Sequence, residues 1–279
     1  MAGGRPKSQL HTGSRPVLCQ PVRALIYHDV TESSRFDESG FPGPTASAYK
    51  LEPPAFELHL DAISSGRHRP GVITPGGALP PVALTFDDGG DSAMDIATML
   101  ERRGWRGHFF VVTDRIGAPG FVTADDVREL ADRGHAIGSH THTHPRPLSR
   151  LPEPVIADEW RRSRDVLAEL LGAEPFLAGV PGGDTSPVVV AAARDAGYRV
   201  LMTSEPTQAT ASRGALVVIG RYTIWSSTPP ARAAALAAGS PLAGSRAWLG
   251  WNAKKLAKRA APSAYRRARE TVRRLGATP

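Results

Sequence analysis

The chain has 279 residues, of which 41% are hydrophobic and 22% are charged, and its formal net charge is +7. A chain of this length can bury one large core, so a single α/β barrel fits it as well as two small domains would. Its single cysteine excludes an internal disulfide framework and a thiolate-rich metal site, so any metal would have to be held by histidine and carboxylate.

The composition also bears on membranes and export. No apolar run approaches the ~20 residues that a membrane span needs. The stretch over residues 1–20 is polar and basic and lacks the apolar core of a secretory signal. We therefore expect a flexible leader over residues 1–20 and a cytoplasmic protein.

Strand-like and helix-like stretches alternate along the rest of the chain. Short apolar runs predict strands at residues 22–27, 82–86, 108–112, 135–139, 176–180, 198–203 and 216–219. Helical spacing of apolar residues predicts helices at 55–63, 92–103, 124–133, 155–171 and 187–196. Regular alternation implies a parallel sheet, and this many units suggests closure into a barrel over residues 21–240. Residues 31–49, rich in Ser, Gly and Pro, are expected to form a long loop near the mouth of the site.

Two clusters of polar residues follow predicted strands. Asp87 and Asp88 come directly after one strand, and three alternate histidines over residues 140–144 follow another. In a parallel barrel the carboxyl ends of the strands form the face that carries catalytic groups. A carboxylate and two imidazoles on that face can hold a divalent metal, and a second carboxylate can deprotonate the water that the metal binds. Together the clusters predict a metal-dependent hydrolase.

Each cluster also has a purely structural interpretation. Aspartate followed by glycine favours a turn after a strand, and three alternate histidines also fit an exposed strand face or a histidine-rich loop. Both interpretations stay open for either cluster alone. The position of both clusters at strand ends favours the metal site.

The sequence around these clusters resembles a known family. Residues 85–89 (Thr-Phe-Asp-Asp-Gly) and the pattern His140-Thr141-x-x-His144 are similar to the first two motifs of the polysaccharide deacetylases (NodB-like, carbohydrate esterase family 4). Weaker similarity covers residues 25–30, 56–60, 180–183 and 197–204 and fades after about Trp225. The resemblance implies a distorted TIM-like (β/α) barrel and a metal-dependent hydrolase that removes N-acetyl groups from amino sugars.

The resemblance also implies roles for individual residues. Asp87 would be the general base. Asp88, His140 and His144 would bind one divalent metal ion, for which zinc is the expected choice. His142 falls on a variable position of the motif and receives no role.

The third motif is expected to stabilise the tetrahedral oxyanion. Pro181, Gly182 and Gly183 would present a bare backbone N–H, expected to be that of Gly182, to the substrate oxygen. By the resemblance, the substrate is an N-acetylated glycan or glycoconjugate.

Two positions depart from the family's pattern. The arginine that usually stands two residues before the third motif's proline is replaced by Gly179, and no histidine follows His144 to serve as general acid. We expect Arg221 to replace the missing arginine. We expect His28, at the end of the first predicted strand, to be the proton donor. A core histidine that caps its strand is the alternative interpretation of His28.

The positive charge is concentrated at the end of the chain. From Arg246 onward, ten Lys or Arg residues stand against one acidic residue, so the remainder is nearly neutral. We expect a basic helical tail over residues 241–279, either solvated or resting on anionic lipid through an amphipathic face. The apolar side of that face would consist of Trp248, Leu249, Trp251 and Leu256. Nucleic-acid binding has no supporting motif.

Other function classes remain open at the level of sequence. A TIM-barrel amidohydrolase would use His140 and His142 as its metal pair, but it would need further histidines downstream, and the sequence has none. A catalytically impaired carbohydrate-binding relative would explain the missing arginine and late histidine, yet it would have little reason to keep Asp87 beside three ligands. We therefore favour the deacetylase, with that relative or another metal-dependent amide or ester hydrolase as the alternatives.

Overall fold

The computed structural model describes residues 20–183 and 185–260. Its strands are β1 (Arg23–Tyr27), β2 (Val82–Phe86), β3 (His108–Val111), β4 (Ala136–Ser139), β5 (Leu177–Gly179), β6 (Val200–Met202), β7 (Thr210–Arg213), β8 (Leu216–Ile219) and β9 (Arg221–Thr223). Its α-helices are α1 (Pro44–Ser47), α2 (Pro53–Ser64), α3 (Ala93–Glu101), α4 (Ala124–Asp132), α5 (Glu153–Leu171), α6 (Pro187–Asp195), α7 (Pro230–Ala237) and α8 (Pro241–Ala260). The predicted leader, apart from Gln20, and the predicted tail from residue 261 onward lie outside the described residues.

The strands form one sheet in the order β7-β8-β6-β5-β4-β3-β2-β1-β9. Neighbouring strands run parallel, except that β7 and β8 are antiparallel. All five residues of β2 are buried, because helices cover a parallel sheet and leave its strands buried on both faces. This is why the parallel strands have continuous apolar sequences rather than alternating ones.

The chain joins the two sides of this sheet through a single residue. Gly220 separates β8, which pairs with β6, from β9, which pairs with β1 near the opposite end of the strand order. A Cβ atom at Gly220 would lie 2.4 Å from the backbone oxygen of Glu205, so this close approach requires glycine. The segment over residues 216–223 therefore closes the barrel, and we call it the seam.

Four elements have no counterpart among the predicted ones. Strand β7 is a polar, half-exposed edge strand, and β9 has only three residues, so neither carries an apolar period. Helix α1 has four residues inside the predicted loop, and α7 is rich in alanine, which gives weak apolar contrast between its faces. The remaining predicted strands and helices are present with ends shifted by a few residues.

Helix α8 corrects one part of the predicted apolar face. Trp248, Leu249 and Leu256 are exposed, by 48%, 60% and 67% respectively. Trp251 is instead half-buried and lines the cavity into which Asp87 and Asp88 open. Because successive residues of an α-helix are about 100° apart, Leu249 and Trp251 point about 200° apart and cannot share one face. Among the described residues, no helix is long and apolar enough to cross a bilayer.

Candidate active site

Asp87 follows β2 directly, and its carboxylate forms a two-point contact with Arg221. Nη1 of the arginine donates to Oδ1 over 2.6 Å, and Nη2 donates to Oδ2 over 2.9 Å. The fully buried arginine also donates to Thr203 O over 3.1 Å and to Thr85 Oγ1 over 3.0 Å. Burial opposes ionisation of Asp87, but Arg221 and His140 outweigh it and lower the pKa of the carboxyl group. Asp87 is therefore ionised at neutral pH.

Asp88, His140 and His144 offer ligand atoms that all lie within 4.8 Å of one another. Asp88 Oδ1 is 3.2 Å from Nε2 of His144 and 3.5 Å from Nε2 of His140. His140 Nδ1 is 2.9 Å from Gly179 O, which orients the ring with Nε2 towards the group. Within the described part of the chain, Asp88 Oδ1 is buried without a hydrogen-bond partner. A buried carboxylate oxygen in this position fits a cation as its partner, so the donor set suits a divalent metal.

Burial disfavours charge on all three of these side chains. It raises the pKa of Asp88 to about 7 and lowers the pKa of His140 to about 4. Burial and the neighbouring His140 lower the pKa of His144 well below its ordinary value. Neutral imidazoles are the form that binds a metal, and a cation would favour the ionised state of Asp88.

The backbone around the group is in a conformation that side chains rarely adopt. Asp88, Thr141 and His144 have φ angles of 78°, 64° and 61°, in the left-handed region. The backbone N–H of His144 donates to Thr141 Oγ1 over 3.1 Å, and that of Thr141 donates to Ser139 Oγ over 3.0 Å. Strain of this kind concentrates at functional sites and persists only where surrounding contacts hold it.

His28 lies on the strand beside Asp87. In the β1–β2 register Tyr27 is opposite Phe86, so His28 and Asp87 follow on neighbouring strand ends. His28 lines the cavity, and its ring centroid is 4.8 Å from that of Tyr49. Its buried Nδ1 has no hydrogen-bond partner among the described residues. Burial lowers the pKa of His28 to about 3, although Asp87 acts in the opposite direction.

The third motif reaches the same cavity. Pro181 is buried, and both Gly182 and Gly183 line the cavity wall. Gly182 has a φ of 62°, which glycine adopts without a steric penalty. The N–H of Gly183 donates to Val180 O over 3.2 Å and is therefore engaged within the protein.

Gly179, at the position of the missing family arginine, is tightly enclosed by its neighbours. A Cβ atom at Gly179 would lie 3.0 Å from the ring of Phe110 and 3.3 Å from His140 Nδ1. The guanidinium carbon of Arg221 lies 5.2 Å from the centroid of the same Phe110 ring. The guanidinium group of Arg221, which belongs to the seam, thus packs against the ring of Phe110.

The loop predicted at residues 31–49 contributes aromatic side chains to the site. Phe41 stacks on His144, with ring centroids 4.6 Å apart and planes inclined by 19°. Tyr49, in contact with His28, also stacks on Trp225 with centroids 4.4 Å apart. The motifs do not indicate these aromatic residues, because their contacts depend on how an aperiodic loop folds. The available signal is aromatic residues inside a stretch that is otherwise rich in Ser, Gly and Pro.

A buried ion pair ties this loop to the strand ends. Lys50 is 1% exposed, and its Nζ lies 3.7 Å from Asp29 Oδ2. The same ammonium group donates to the backbone oxygens of Phe36, Ser39 and Phe41. A buried charge is tolerated only when it is paired and hydrogen-bonded. Lys50 thus fixes the loop backbone at Phe41, whose ring stacks on His144.

His142 lies outside the group of possible metal ligands. Its Nδ1 is 2.9 Å from Thr113 Oγ1, and its backbone N–H donates to Glu159 Oε2 over 3.0 Å. Within the described residues, the group that could hold a metal includes His140 but not His142. This arrangement does not support the amidohydrolase alternative, which would pair these two histidines.

Asp87, the three possible metal ligands and His28 open into one cavity of about 470 Å³, within the size range of small-ligand sites. Helices α7 and α8 form one wall of it. That wall and the segment after His144 bring in charged and aromatic residues for which the motifs gave no role, namely Arg146, Arg232, Arg246 and Trp251.

Comparison with known proteins identifies related sequences. Residues 77–201 match the family model described as polysaccharide deacetylase. The chain is 34% identical over 102 residues to a chitin deacetylase of Arthroderma benhamiae, a match that covers 36% of this chain and 27% of that protein. It is 30% identical over 105 residues to a peptidoglycan-N-acetylglucosamine deacetylase of Bacillus cereus, covering 37% of this chain and 36% of the relative. The chain spans about half of the length of the curated relatives it matches, or less.

The fold also has solved counterparts. The crystal structure of a polysaccharide deacetylase from Bacillus cereus superposes with a TM-score of 0.67 at 19% identity, over 78% of this chain and 69% of that chain. At this level of identity the likeness concerns the fold alone. It confirms the predicted distorted α/β barrel.

Proposed function

We propose that this chain, of which residues 77–201 match the polysaccharide deacetylase family model, is a metal-dependent hydrolase that removes N-acetyl groups from amino sugars of a polysaccharide or glycoconjugate. One observation carries this proposal: Asp88, His140 and His144 form a group in the same cavity as Asp87, whose carboxylate is paired with the buried Arg221. Amide hydrolysis needs an activated water, a base and a proton donor. The cavity supplies a candidate for each of them.

Asp88, His140 and His144 are proposed to hold one divalent ion, with zinc as the expected metal. Two imidazoles and one carboxylate leave coordination positions open, as catalytic zinc sites require. A metal bound there would supply a water of lowered pKa and would polarise the substrate carbonyl.

Asp87 is proposed to accept a proton from the attacking water. Its Oδ2 lies 3.7 Å from Nε2 of His140, so the base is beside the ligand group. Arg221 holds both carboxylate oxygens and thereby fixes the orientation of the base and keeps it ionised. In this proposal Arg221 is a positioning residue that takes the place of the family's missing arginine.

The third motif is proposed to stabilise negative charge on the substrate. Pro181, Gly182 and Gly183 form part of the cavity wall or lie directly behind it. A backbone N–H directed at a developing oxyanion is worth several kcal/mol in a water-poor site. With Gly183 engaged by Val180 O, Gly182 is the proposed donor.

His28 is proposed to protonate the departing amine. An amine leaves only when it gains a proton, and imidazole is the usual donor near neutral pH. Because the pKa of His28 is lowered to about 3, the ring is neutral before the reaction. Negative charge that develops on the substrate as the water attacks would raise the proton affinity of His28, so the ring could take up the proton that Asp87 removes from that water. His28 would then pass this proton to the nitrogen as the C–N bond breaks. The position of His142 against Thr113, away from the ligand group, supports His28 as the donor.

The substrate is proposed to carry N-acetylglucosamine or a similar sugar. The names of two relatives assign them chitin and peptidoglycan N-acetylglucosamine as substrates. An aromatic surface suited to a sugar ring lies beside the reacting groups, where Tyr49 stacks on Trp225.

The outer face of α8 is proposed to rest on anionic lipid. Leu242, Leu249 and Leu256 are about two helical turns apart and are exposed by 62%, 60% and 67%. Basic residues are concentrated in this part of the sequence. In liposome flotation we expect salt-sensitive binding to anionic vesicles that is lost in the double variant Leu249→Ser/Leu256→Ser. Equal flotation of the variant would exclude this role for the helix.

Metal analysis combined with acetate release tests the enzymatic proposal. We expect about one divalent metal per chain, acetate release from N-acetylglucosamine oligomers, and loss of that release after chelation. The Asp87→Asn variant is the matched control, because it should keep the metal and lose the activity. Acetate release by metal-free protein would contradict the proposal. Sugar binding without release by the metal-loaded protein would favour the carbohydrate-binding relative.

A further inference from the structure

Three arginines from three separate segments line the cavity. Arg146 follows the second motif, Arg232 belongs to α7, and Arg246 belongs to α8. We propose that the substrate carries an anionic group, a phosphate or a carboxylate, close to the N-acetylated sugar, and that these arginines bind it. This inference rests on the proposed deacetylase function and specifies its substrate class.

The described side chains that line the cavity carry an excess of positive charge. Among the described residues that line it, the acidic side chains are Asp87, Asp88 and Glu205. Asp87 is committed to Arg221, and Asp88 to the proposed metal, so one carboxylate remains against three guanidinium groups. The bound metal would add further positive charge. A cavity of this kind attracts anions and repels cations.

The arginines are not occupied by carboxylates of the described protein. Arg232 and Arg246 form no ion pair within the described residues. Arg146 lies 3.4 Å from His144 Nδ1 and over the ring of Phe41, 5.8 Å from its centroid. Guanidinium groups bind phosphate and carboxylate in a two-point geometry, so unpaired arginines beside a reaction centre suit such a group.

The aromatic residues of the cavity place the sugar among these charges. Tyr49 and Trp225 form a stacked pair on the wall next to His28. Trp251 lines the same cavity from α8, near Gly183. A sugar ring on this surface would have the N-acetyl group towards the metal ligands and its substituents within reach of the arginine-bearing wall. Helices α7 and α8 lie outside residues 77–201, which match the family model.

Matched substrates test the inference directly. The N-acetylglucosamine oligomer is compared with the same oligomer bearing a phosphate, and with one bearing a carboxylate, on the adjacent sugar. We expect kcat/KM for a charged oligomer to exceed that for the neutral one by about tenfold or more at low salt, and the advantage to shrink as ionic strength rises. The two charged arms identify which anion the cavity prefers.

Substitutions assign the preference to the wall. Arg232→Gln and Arg246→Gln should each reduce kcat/KM for the charged oligomer several-fold more than kcat/KM for the neutral oligomer. The matched control is Arg213→Gln, because Arg213 is exposed, lies outside the cavity and donates from its side chain to Ser212 O. It should change neither substrate. Equal kcat/KM for charged and neutral oligomers in the wild type, or equal losses on both in the variants, would overturn the inference.

Binding measurements separate this inference from the proposed activity. Calorimetry with the Asp87→Asn variant gives Kd for the neutral and charged oligomers without turnover. Tighter binding of the charged oligomer supports the anionic substrate class even if the wild type releases no acetate. Acetate release from both oligomers with equal Kd values would support the deacetylase and refute the anionic preference.

Discussion

The two ends of the barrel's strands use histidine in opposite ways. At the amino end, His108 Nδ1 is 3.1 Å from Leu84 O, and its Nε2 accepts from the N–H of Ile73 over 2.9 Å. His135 at the same end accepts from the N–H of Gly107 over 3.1 Å. Every ring nitrogen of these two histidines has a partner within the protein, since His135 Nε2 also meets a carboxylate.

At the carboxyl end the pattern is reversed. His140 is anchored through Nδ1 alone and directs Nε2 at Asp88 Oδ1, which has no hydrogen-bond partner among the described residues. His28 Nδ1 is buried and likewise unpartnered there. Buried polar atoms without partners cost stability, so they persist where a ligand or a reaction uses them. The hydrogen-bond partners of a histidine, more than its burial, thus distinguish the structural histidines of the amino end from the candidate functional histidines of the carboxyl end.

The largest expected effect comes from removing one of the proposed metal ligands at the carboxyl end of the strands. His140→Ala should lose the metal and reduce turnover by more than about 10³-fold, because two ligands seldom retain a catalytic ion. Elemental analysis and acetate release measure both quantities. His135→Gln is the control from the amino end, and its metal content and turnover per folded molecule should stay normal. Full metal occupancy in His140→Ala would refute the ligand assignment.

The second prediction separates the two adjacent aspartates. Asp87→Asn should lower turnover by about 10²–10⁴-fold, the usual cost of losing a general base, while the metal content stays near one per chain. Asp88→Asn should reduce metal content and turnover together. The opposite pattern in elemental analysis would exchange the roles of the two residues.

The third prediction concerns the proton donor. His28→Ala should keep its metal and lose about 10²-fold in turnover of an N-acetylated sugar. An activated acetyl ester needs no protonation of its leaving group, so the same variant should hydrolyse it at nearly the wild-type rate. A merely structural role of His28 would lower both reactions equally. His142→Ala serves as the control, and a large loss there would make that residue the donor.

The smallest expected effect lies at the amino end. Hydrogen bonds from Arg133 and His135 lower the pKa of Glu101 to about 2. The ionised carboxylate therefore stabilises the folded state at pH values above the ordinary pKa of glutamate. Glu101→Gln should lower the free energy of unfolding by about 1–2 kcal/mol at pH 7, allowing for partial solvent exposure.

The pH dependence of that loss is the sharper measurement. Because the folded-state pKa of Glu101 is lowered, the difference between wild type and Glu101→Gln should shrink as pH falls from about 4.5 towards 2. Denaturant unfolding at a series of pH values measures it. Turnover per folded molecule should not change, and a difference in unfolding free energy that is constant with pH would exclude ionisation of Glu101 as its source.

Local sequence patterns were sufficient for seven of the nine strands in the described part of the chain, and for the polar residues that directly follow β2 and β4. Strand β2 was predicted with both ends correct, and its fully buried, continuous apolar run explains why Asp87 and Asp88 were recognisable directly after it. The metal group depends on short spacings after two strands, and a parallel sheet brings such positions together without further information. Arg221 was inferred only because the resemblance showed that an arginine was missing.

Contacts between distant segments could not be predicted from local sequence patterns. Phe41 meets His144 because a buried lysine, Lys50, folds an aperiodic loop, and no periodicity reports such a contact. Trp251 was assigned to the wrong face of α8, since the sequence gives the helical period but not which side of the helix meets the barrel. The charged wall of the cavity was missed for the same reason.

The seam lies late in the sequence, so it completes the proposed active site only after most of the chain has been synthesised. Asp87 and Arg221 are 134 positions apart, and the arginine reaches the carboxylate only after the chain passes Gly220 and lies along β1. A growing chain that has emerged from the ribosome to residue 219 would contain Asp87 and the three proposed metal ligands without the arginine that contacts Asp87. Nascent chains stalled before and after β9 should therefore bind metal alike, and only the longer ones should release acetate.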